Sequence, residues 1–399
     1  MVIAVLRERE VGERRVSLVP ESVGRLVKAG HRVLVETGAG AGCDITDQAY
    51  QEAGAEVLPD RRAIAAAADI VLTIRHLTDG QDPVWEGIRP GTVLVGMYQP
   101  LSHSVQTFEN WAHKGLTTFS LDALPRISRA QSMDVLSSMS TIAGYRAVTV
   151  AAERLRKFFP MLMTAAGTIP PAKVLVLGAG VAGLQAIATA HRLGAMVQAF
   201  DTRAAAREQV ESLGATFLSL DVQTAQTQDG YATAIAEDQH QRELALLADP
   251  VKNADVVITT AQIPGKPAPI LITREMVLSM RPGSVIVDLA GESGGNTEVS
   301  RAGEEVDVNG VRVIAPVNIP SDLPLNASQL YSRNVTAFLQ HLEREGLAFM
   351  ETTHACQISS TDEIIQRTLV THEGTIRSQA VLDRLPSRGA ENVATAPVR

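Results

Sequence analysis

Arg126, Arg129, Gln131, Asp134 and Ser137 fall within a dozen residues of one another, directly ahead of an apolar-periodic stretch. Two guanidiniums, an amide, a carboxylate and a hydroxyl at this spacing can orient a planar polar ring through hydrogen bonds. No histidine and no lysine stands among them, so the segment is equipped to orient a group rather than to move a proton. A second candidate lies downstream at Gly178-Ala-Gly-Val-Ala-Gly183, between the apolar run Lys173–Leu177 and a helical pattern over Leu184–Arg192. A G-x-G-x-x-G loop alone is a weak signal, but a strand before it and a helix after it are what a dinucleotide site requires. Gly178 permits the tight turn, Gly180 lets the backbone approach a pyrophosphate, and Gly183 lets helix and strand pack closely. The N–H groups of Val181 and Ala182 then face the phosphates from the helix N-terminus. Asp201 follows Gly183 by 18 residues, after the run Met196–Phe200, with Thr202 and Arg203 beside it. Its carboxylate suits a ribose diol and repels a 2′-phosphate, which favours NAD over NADP; Arg203 weakens that preference.

The elements that must position these groups read as strands alternating with helices. Short apolar runs at Val2–Leu6, Val33–Glu36, Ile70–Ile74, Val93–Met97 and Thr117–Leu121 predict parallel strands in a first unit. A helix over Glu21–Lys28 is opened by Pro20 and stopped by Gly30. Leu136–Phe159 reads as a long joining helix, with Met139, Ile142, Ala143, Val150 and Leu155 near one face. Gly167–Pro171 breaks the pattern, and strands at 173–177, 196–200, 215–218, 256–259, 285–288 and 313–314 predict a second unit. Asp221–Asp238 is polar and turn-rich and reads as a long loop. Ala327–Leu342 returns to helix. The expected fold class is α/β, two Rossmann-like doubly wound domains joined by long helices. The expected division is 1–134 with 331–380, then 135–330, then a flexible tail over 381–399.

Composition narrows the function classes. The 399 residues carry a net charge of −8 without a long basic run, so nucleic acid and anionic membrane surfaces are not expected partners. Cys43 and Cys356 show no ligand spacing, and neither a disulfide framework nor a metal site is indicated. Met1–Leu6 is apolar but runs straight into charges, unlike a signal peptide, and no apolar run reaches bilayer length. A cytoplasmic location is expected.

Taken alone, the 126–137 segment reads as readily as a solvated connector leading into an N-capped helix. Its identity decides otherwise. Arg126-Ile-Ser-Arg-Ala-Gln131-Ser-Met-Asp134-Val-Leu-Ser137 resembles the nicotinamide-holding loop of the NAD(H)-binding component of proton-translocating NAD(P) transhydrogenases. The resemblance runs from residue 1 to about 375. It includes Arg7-Glu8 through Arg15-Val16, Gly178–Gly183, Gly230-Tyr231-Ala232, Thr259–Pro269, Asp288–Glu298, Ala327–Asn334 and Thr368–Gly374. It implies that Arg126, Asp134 and Ser137 hold the carboxamide, and that Gln131 contacts the nicotinamide ribose and the incoming NADP(H)-binding partner. Ile127, Ser128, Arg129, Ser132 and Met133 complete that cofactor-contacting loop. Gly230 and Tyr231 close over the nucleotide, and Gln262 contacts it where the family generally has an apolar residue. Gln131 is the residue assigned to catalysis. The resemblance further implies a homodimer with Ile358–Gly374 at the dimer contact. It also implies a membrane-spanning proton-channel subunit, an NADP(H)-binding subunit, and a peripheral place on the cytoplasmic face of the membrane.

Alanine dehydrogenase shares the fold family, and the departures separate the two. Such an enzyme holds its substrate carboxylate with arginine and lysine and uses a histidine as acid/base. Here Arg15 matches, but the lysine position is Arg75, the histidine position Gln99, and the later acidic residue Glu292. His76 is a substitute acid/base in one reading and an ordinary edge histidine in the other. The alternatives are therefore an alanine dehydrogenase-like amino-acid dehydrogenase and a non-catalytic NAD(H)-binding module. Transfer between two nicotinamides needs no proton relay. Ring alignment at about 3–3.5 Å and exclusion of water supply the rate.

Overall fold

A computed structural model describes residues 1–77, 82–219, 232–349, 356–358 and 361–385. The chain divides into two compact units, Met1–Val135 with Ser328–Arg399, and Leu136–Ala327. Two long helices carry it across the boundaries, Val135–Arg154 and Pro324–Arg344.

The first unit is built on an eight-stranded sheet ordered Glu56–Leu58, Arg32–Glu36, Val2–Val5, Ile70–Leu72, Val93–Gly96, Thr117–Ser120, Leu369–His372 and Thr375–Ile376. The first six are parallel, and their chain order of third, second, first, fourth, fifth and sixth is the doubly wound arrangement. The strands from the C-terminal part of the chain add antiparallel at the edge, with Leu369 opposite Phe119. The parallel strands are apolar at successive positions because both faces are covered. Ala4, Leu34, Val71 and Leu94 enter one core cluster, while their buried neighbours Ile3, Val33, Ile70 and Val93 point to the other face.

The second unit repeats the plan with seven strands, ordered Thr216–Leu218, Met196–Phe200, Lys173–Leu177, Val256–Thr259, Val285–Asp288, Val311–Ile314 and Glu305–Val308; the last is antiparallel. Alternation is again two-sided. Val174, Val176, Val256 and Ile258 pack into one cluster, and Leu175, Leu177 and Val257 into another.

Four local readings of the sequence need correction. The joining helix ends at Arg154, not Phe159; Pro160 disfavours helical geometry at the residue before it. A hairpin, Leu162–Thr164 with Gly167–Ile169, follows in place of a simple break. Its Met163 and Ile169 are exposed, so burial left no periodic signature there. The expected 221–238 loop overlaps a helix over Ala232–Asn253, whose polar stretch at 237–241 masks the apolar stripe. Of the expected tail, residues 381–385 are structured: Val381 is buried in the first unit's core and Arg384 donates to the Pro100 carbonyl. Residues 386–399 lie outside the described residues.

Candidate functional site

The second unit gathers Gly178, Gly180, Val181, Ala182, Gly183, Asp201, Thr202, Arg203 and Gln262 at the C-terminal ends of adjacent strands. The three glycines do different things. Gly178 has φ of +97°, which only glycine adopts without strain, and a Cβ there would come within 2.5 Å of Thr260 Oγ1. A Cβ on Gly183 would overlap the Gly178 carbonyl oxygen. These two are glycines for the fold's sake. Gly180 has an ordinary φ of −77°, and a Cβ there would meet nothing within 4 Å. The fold itself does not require glycine at 180; the space beside it is the cradle that a side chain would fill. The Val181–Arg192 helix starts here, and its first turn closes with Leu184 N–H on Gly180 O. The N–H groups of Val181 and Ala182 precede that bond and lack helical acceptors. A pyrophosphate fits this arrangement on both steric and electrostatic grounds.

Asp201, half-buried at the end of its strand, is tightly engaged. Its Oδ2 accepts from Ala179 N–H at 2.8 Å and Arg203 at 2.9 Å, and its Oδ1 from Arg203 N–H at 2.8 Å and Arg203 Nε at 2.9 Å. Burial raises its pKa, but the Arg203 guanidinium and the two N–H donors outweigh burial and hold it below the ordinary carboxylate value. A ribose diol on Asp201 must share or displace Arg203, whose side chain is 63% exposed and has room to swing. Gln262 is exposed and donates to the Leu289 carbonyl at 2.7 Å. Gly230 and Tyr231 lie outside the described residues.

Four supports of this site have no signature in the motif itself. Thr260 Oγ1 donates to the Gly178 carbonyl at 3.1 Å and so braces the glycine turn. Asn296 bridges Ala261 and Pro269 by bonds of 2.8 to 3.1 Å. Fully buried Asp288 accepts from Thr259 Oγ1, Ser300 Oγ and three backbone N–H groups, which fixes the loops after two strands. Gly144 is the fourth: a Cβ there would overlap the Ala182 carbonyl, so the Val135–Arg154 helix lies directly against the start of the glycine-loop helix. A glycine in mid-helix is the signal that would have found it. Ser137 lies half-buried on this same helix.

The first unit carries the 126–134 loop. Ser128–Met133 form a 3-10 helix capped by Ile127, with Met133 buried and Arg126, Ser128, Arg129, Gln131 and Ser132 exposed. The apolar Ala130 and Met133 anchor the turn while Gln131 faces outward. Asp134 is half-buried at its end. Arg129 is already engaged, its guanidinium 3.0 Å from Asp362.

Elsewhere in the first unit, Arg15 is buried in a two-pronged pair with Glu13, at 2.7 and 2.5 Å, and Arg75 Nε lies 3.6 Å from the same Glu13. Burial pushes the neighbouring Glu8 carboxyl up to about 8, against hydrogen bonds from Ile74 and Arg75 N–H. Gln99 sits in the left-handed region at φ +52° and donates its N–H to Asp122. His76 is half-buried with its ring 4.0 Å from that of His103. In the second unit Glu292 accepts from Asn318 N–H.

Models of the alanine dehydrogenase/PNT N-terminal and C-terminal domains match residues 4–143 and 147–379. The chain belongs to this family. It is 45% identical over 383 residues to the first portion of the NAD(P) transhydrogenase subunit alpha of Rhodospirillum rubrum, covering 94% of this chain and 97% of that protein. The crystal structure of transhydrogenase from Sinorhizobium meliloti superposes with a TM-score of 0.83 at 43% identity, covering 94% of this chain and 100% of the other. The Bacillus subtilis alanine dehydrogenase is more distant, 32% identical over 84% of each chain. A solved L-alanine dehydrogenase superposes with a TM-score of 0.78 at 28% identity, covering 96% of this chain and 98% of the other.

Proposed function

We propose that this chain is the NAD(H)-binding component of a proton-translocating transhydrogenase. It passes hydride between NADH held here and NADP+ held on a partner subunit. The observation that carries the reading is the glycine loop, in which Gly178 and Gly183 are demanded by packing whereas Gly180 faces open space. Likeness over nearly the full length of a transhydrogenase subunit then favours this use of the cradle.

When bound, the nicotinamide supplies the hydride. The chain's own residues bind and orient. Gly180, Val181 and Ala182 present backbone to the pyrophosphate, and Asp201 takes the adenine-side ribose, with Thr202 and Arg203 at its rim. Arg126, Asp134 and Ser137 hold the carboxamide, and Gln131 sets the ribose beside it and meets the partner. Ile127, Ser128, Arg129, Ser132, Met133, Gly230, Tyr231 and Gln262 complete the contacts. No substrate oxygen or nitrogen changes protonation, so orientation and water exclusion carry the rate. By this reading the component works as a homodimer, with residues 358–374 near the contact. It docks on a membrane-spanning proton-channel subunit and an NADP(H)-binding subunit, peripherally on the cytoplasmic face. Among the described residues no helix is long and apolar enough to cross a membrane.

A second reading, an amino-acid dehydrogenase, draws on buried Arg15, the protonatable Glu8 and the His76–His103 pair. One assay separates them. The purified chain is given NADH with pyruvate and ammonia, then NADH with NADP+ and the partner subunits. Turnover only with the partners supports the transhydrogenase. Turnover with pyruvate and ammonia alone refutes it. NADH binding without hydride transfer to any acceptor leaves a non-catalytic binding module.

A further inference from the structure

The exposed loop that carries Gln131 is tied to two elements far away in sequence. Asn334, in the Pro324–Arg344 helix, donates from Nδ2 to the Ser132 carbonyl at 2.8 Å. Its side chain is buried, and its Oδ1 has no partner among the described residues, so the bond to Ser132 is what that amide contributes. Asp362, the N-cap of the Glu363–Thr368 helix, forms the second tie. Its Oδ1 accepts from Ile364 N–H at 2.9 Å, Ile365 N–H at 3.3 Å and His341 Nε2 at 2.9 Å, while its Oδ2 takes the Arg129 guanidinium at 3.0 Å. The two oxygens thus have separate duties. One builds the helix cap and fixes His341; the other holds the loop.

His341, Glu345 and Asp362 place ligand atoms within 4.8 Å of one another, the spacing of a metal site. Arg344 meets His341 Nδ1 at 2.8 Å and Arg129 meets Asp362, so two cations already occupy the cluster's outer acceptors. The cluster is a hydrogen-bond network with one end on the loop.

We propose that Asp362 and Asn334 are positioning residues for hydride transfer, acting on Gln131 through Arg129 and Ser132. This rests on the transhydrogenase reading. The two ties fall at Arg129 and Ser132, either side of Gln131, and hold both shoulders of the 3-10 turn. Arg129 thereby anchors the loop through its pair with Asp362. Side chains that orient a ring act on rate through small displacements, because misplacement of about 1 Å costs up to about a hundredfold. Loss of either tie therefore slows transfer and leaves nucleotide affinity, set mainly by the glycine loop and Asp201, nearly as it was.

Asp362→Asn tests the tie selectively. The retained Oδ1 still caps the helix and still accepts from His341, while the new NH2 faces the Arg129 guanidinium, donor against donor. Asn334→Ala removes the other tie and serves if Asp362→Asn fails to fold. Three quantities are read on the full-length variants: amide hydrogen exchange, NADH affinity, and the single-turnover rate of hydride transfer to NADP+ on the assembled complex. Exchange at residues 128–134 is expected to accelerate locally, with the transfer rate falling about tenfold and NADH affinity changing less than about threefold. Unchanged exchange at 128–134 in both variants overturns the clamp whatever the activity. So does faster exchange spread evenly over the first unit, which marks a merely structural role. A loosened loop with an unchanged transfer rate overturns the positioning role. If the unmodified complex transfers no hydride, the functional reading fails, and exchange still decides whether the ties exist.

Discussion

Alanine substitution at two glycines of one loop separates packing from binding. At Gly180, φ −77° and ψ −169° suit any residue, and the added Cβ meets nothing within 4 Å. Gly180→Ala is therefore expected to leave the free protein within about 1 kcal/mol of its original stability, because the gain from a less flexible unfolded chain is offset by alanine's weaker N-cap on the Val181–Arg192 helix. The same methyl occupies the space assigned to the pyrophosphate. NADH affinity is expected to fall at least about tenfold, or about 1.4 kcal/mol. At Gly183 the Cβ would overlap the Gly178 carbonyl, and both ends of that contact are backbone. Relief requires the helix to move off the sheet, a distortion of about 1–3 kcal/mol or more. For a unit the size of Leu136–Ala327, that lowers Tm by roughly 2–12 °C. Thermal denaturation without ligand and NADH titration give both numbers on both variants. If Gly180→Ala binds NADH like the unmodified chain, or melts as early as Gly183→Ala, the assignment of the cradle is wrong.

Further tests address the remaining residues. Gln131→Asn is expected to slow hydride transfer at least about tenfold, with NADH affinity nearly unchanged; single-turnover kinetics beside equilibrium binding decide this. Asp201→Asn is expected to weaken NADH about tenfold and to narrow discrimination against NADPH, read by paired titrations. Gly144→Ala sets a Cβ against the Ala182 carbonyl and is expected to lower stability by about 1–3 kcal/mol, measured by denaturant unfolding. Burial raises the Asp362 pKa, but His341, Arg129 and two backbone N–H groups more than offset this and lower it from 3.8 to about 2. A depressed carboxyl stabilises the fold above its unfolded pKa and loses that contribution as pH falls through the folded one. Solvent screens the exposed Arg129 half of the pair and trims the contribution. Between about pH 4 and 2, the unmodified chain is thus expected to lose about 1–2 kcal/mol that Asp362→Asn does not lose, seen as a converging difference in unfolding free energy.

Much of this architecture is legible in local patterns. The short Val/Ile/Leu runs mark strands because a parallel strand buried on both faces must be apolar at nearly every position, as residues 174–177 show. Pro20 and Gly30 bracket the Pro20–Lys28 helix because backbone dihedrals are local properties. The glycine loop is readable for the same reason: strand, turn and helix are contiguous, and the spacing of three glycines encodes the turn. Patterns fail where burial is one-sided or absent. The 162–169 hairpin exposes its apolar side chains, and the Ala232–Asn253 helix carries a polar run near its start, so neither shows a period.

What the chain order alone determined is which residues have the chemistry: the polar set at 126–137, the three glycines, Asp201. Which partner each one takes was settled only by tertiary structure. Arg129 and Asp362 are separated by 233 positions, and Asn334 and Ser132 by 202, yet each pair is in hydrogen-bond contact. No periodicity spans such distances, because the contacts depend on how sheet edge, helix and loop pack in three dimensions. The same holds for glycine. Gly144, Gly180 and Gly183 are one letter, but only the neighbouring backbone shows that two are forced by close approach and one faces open space.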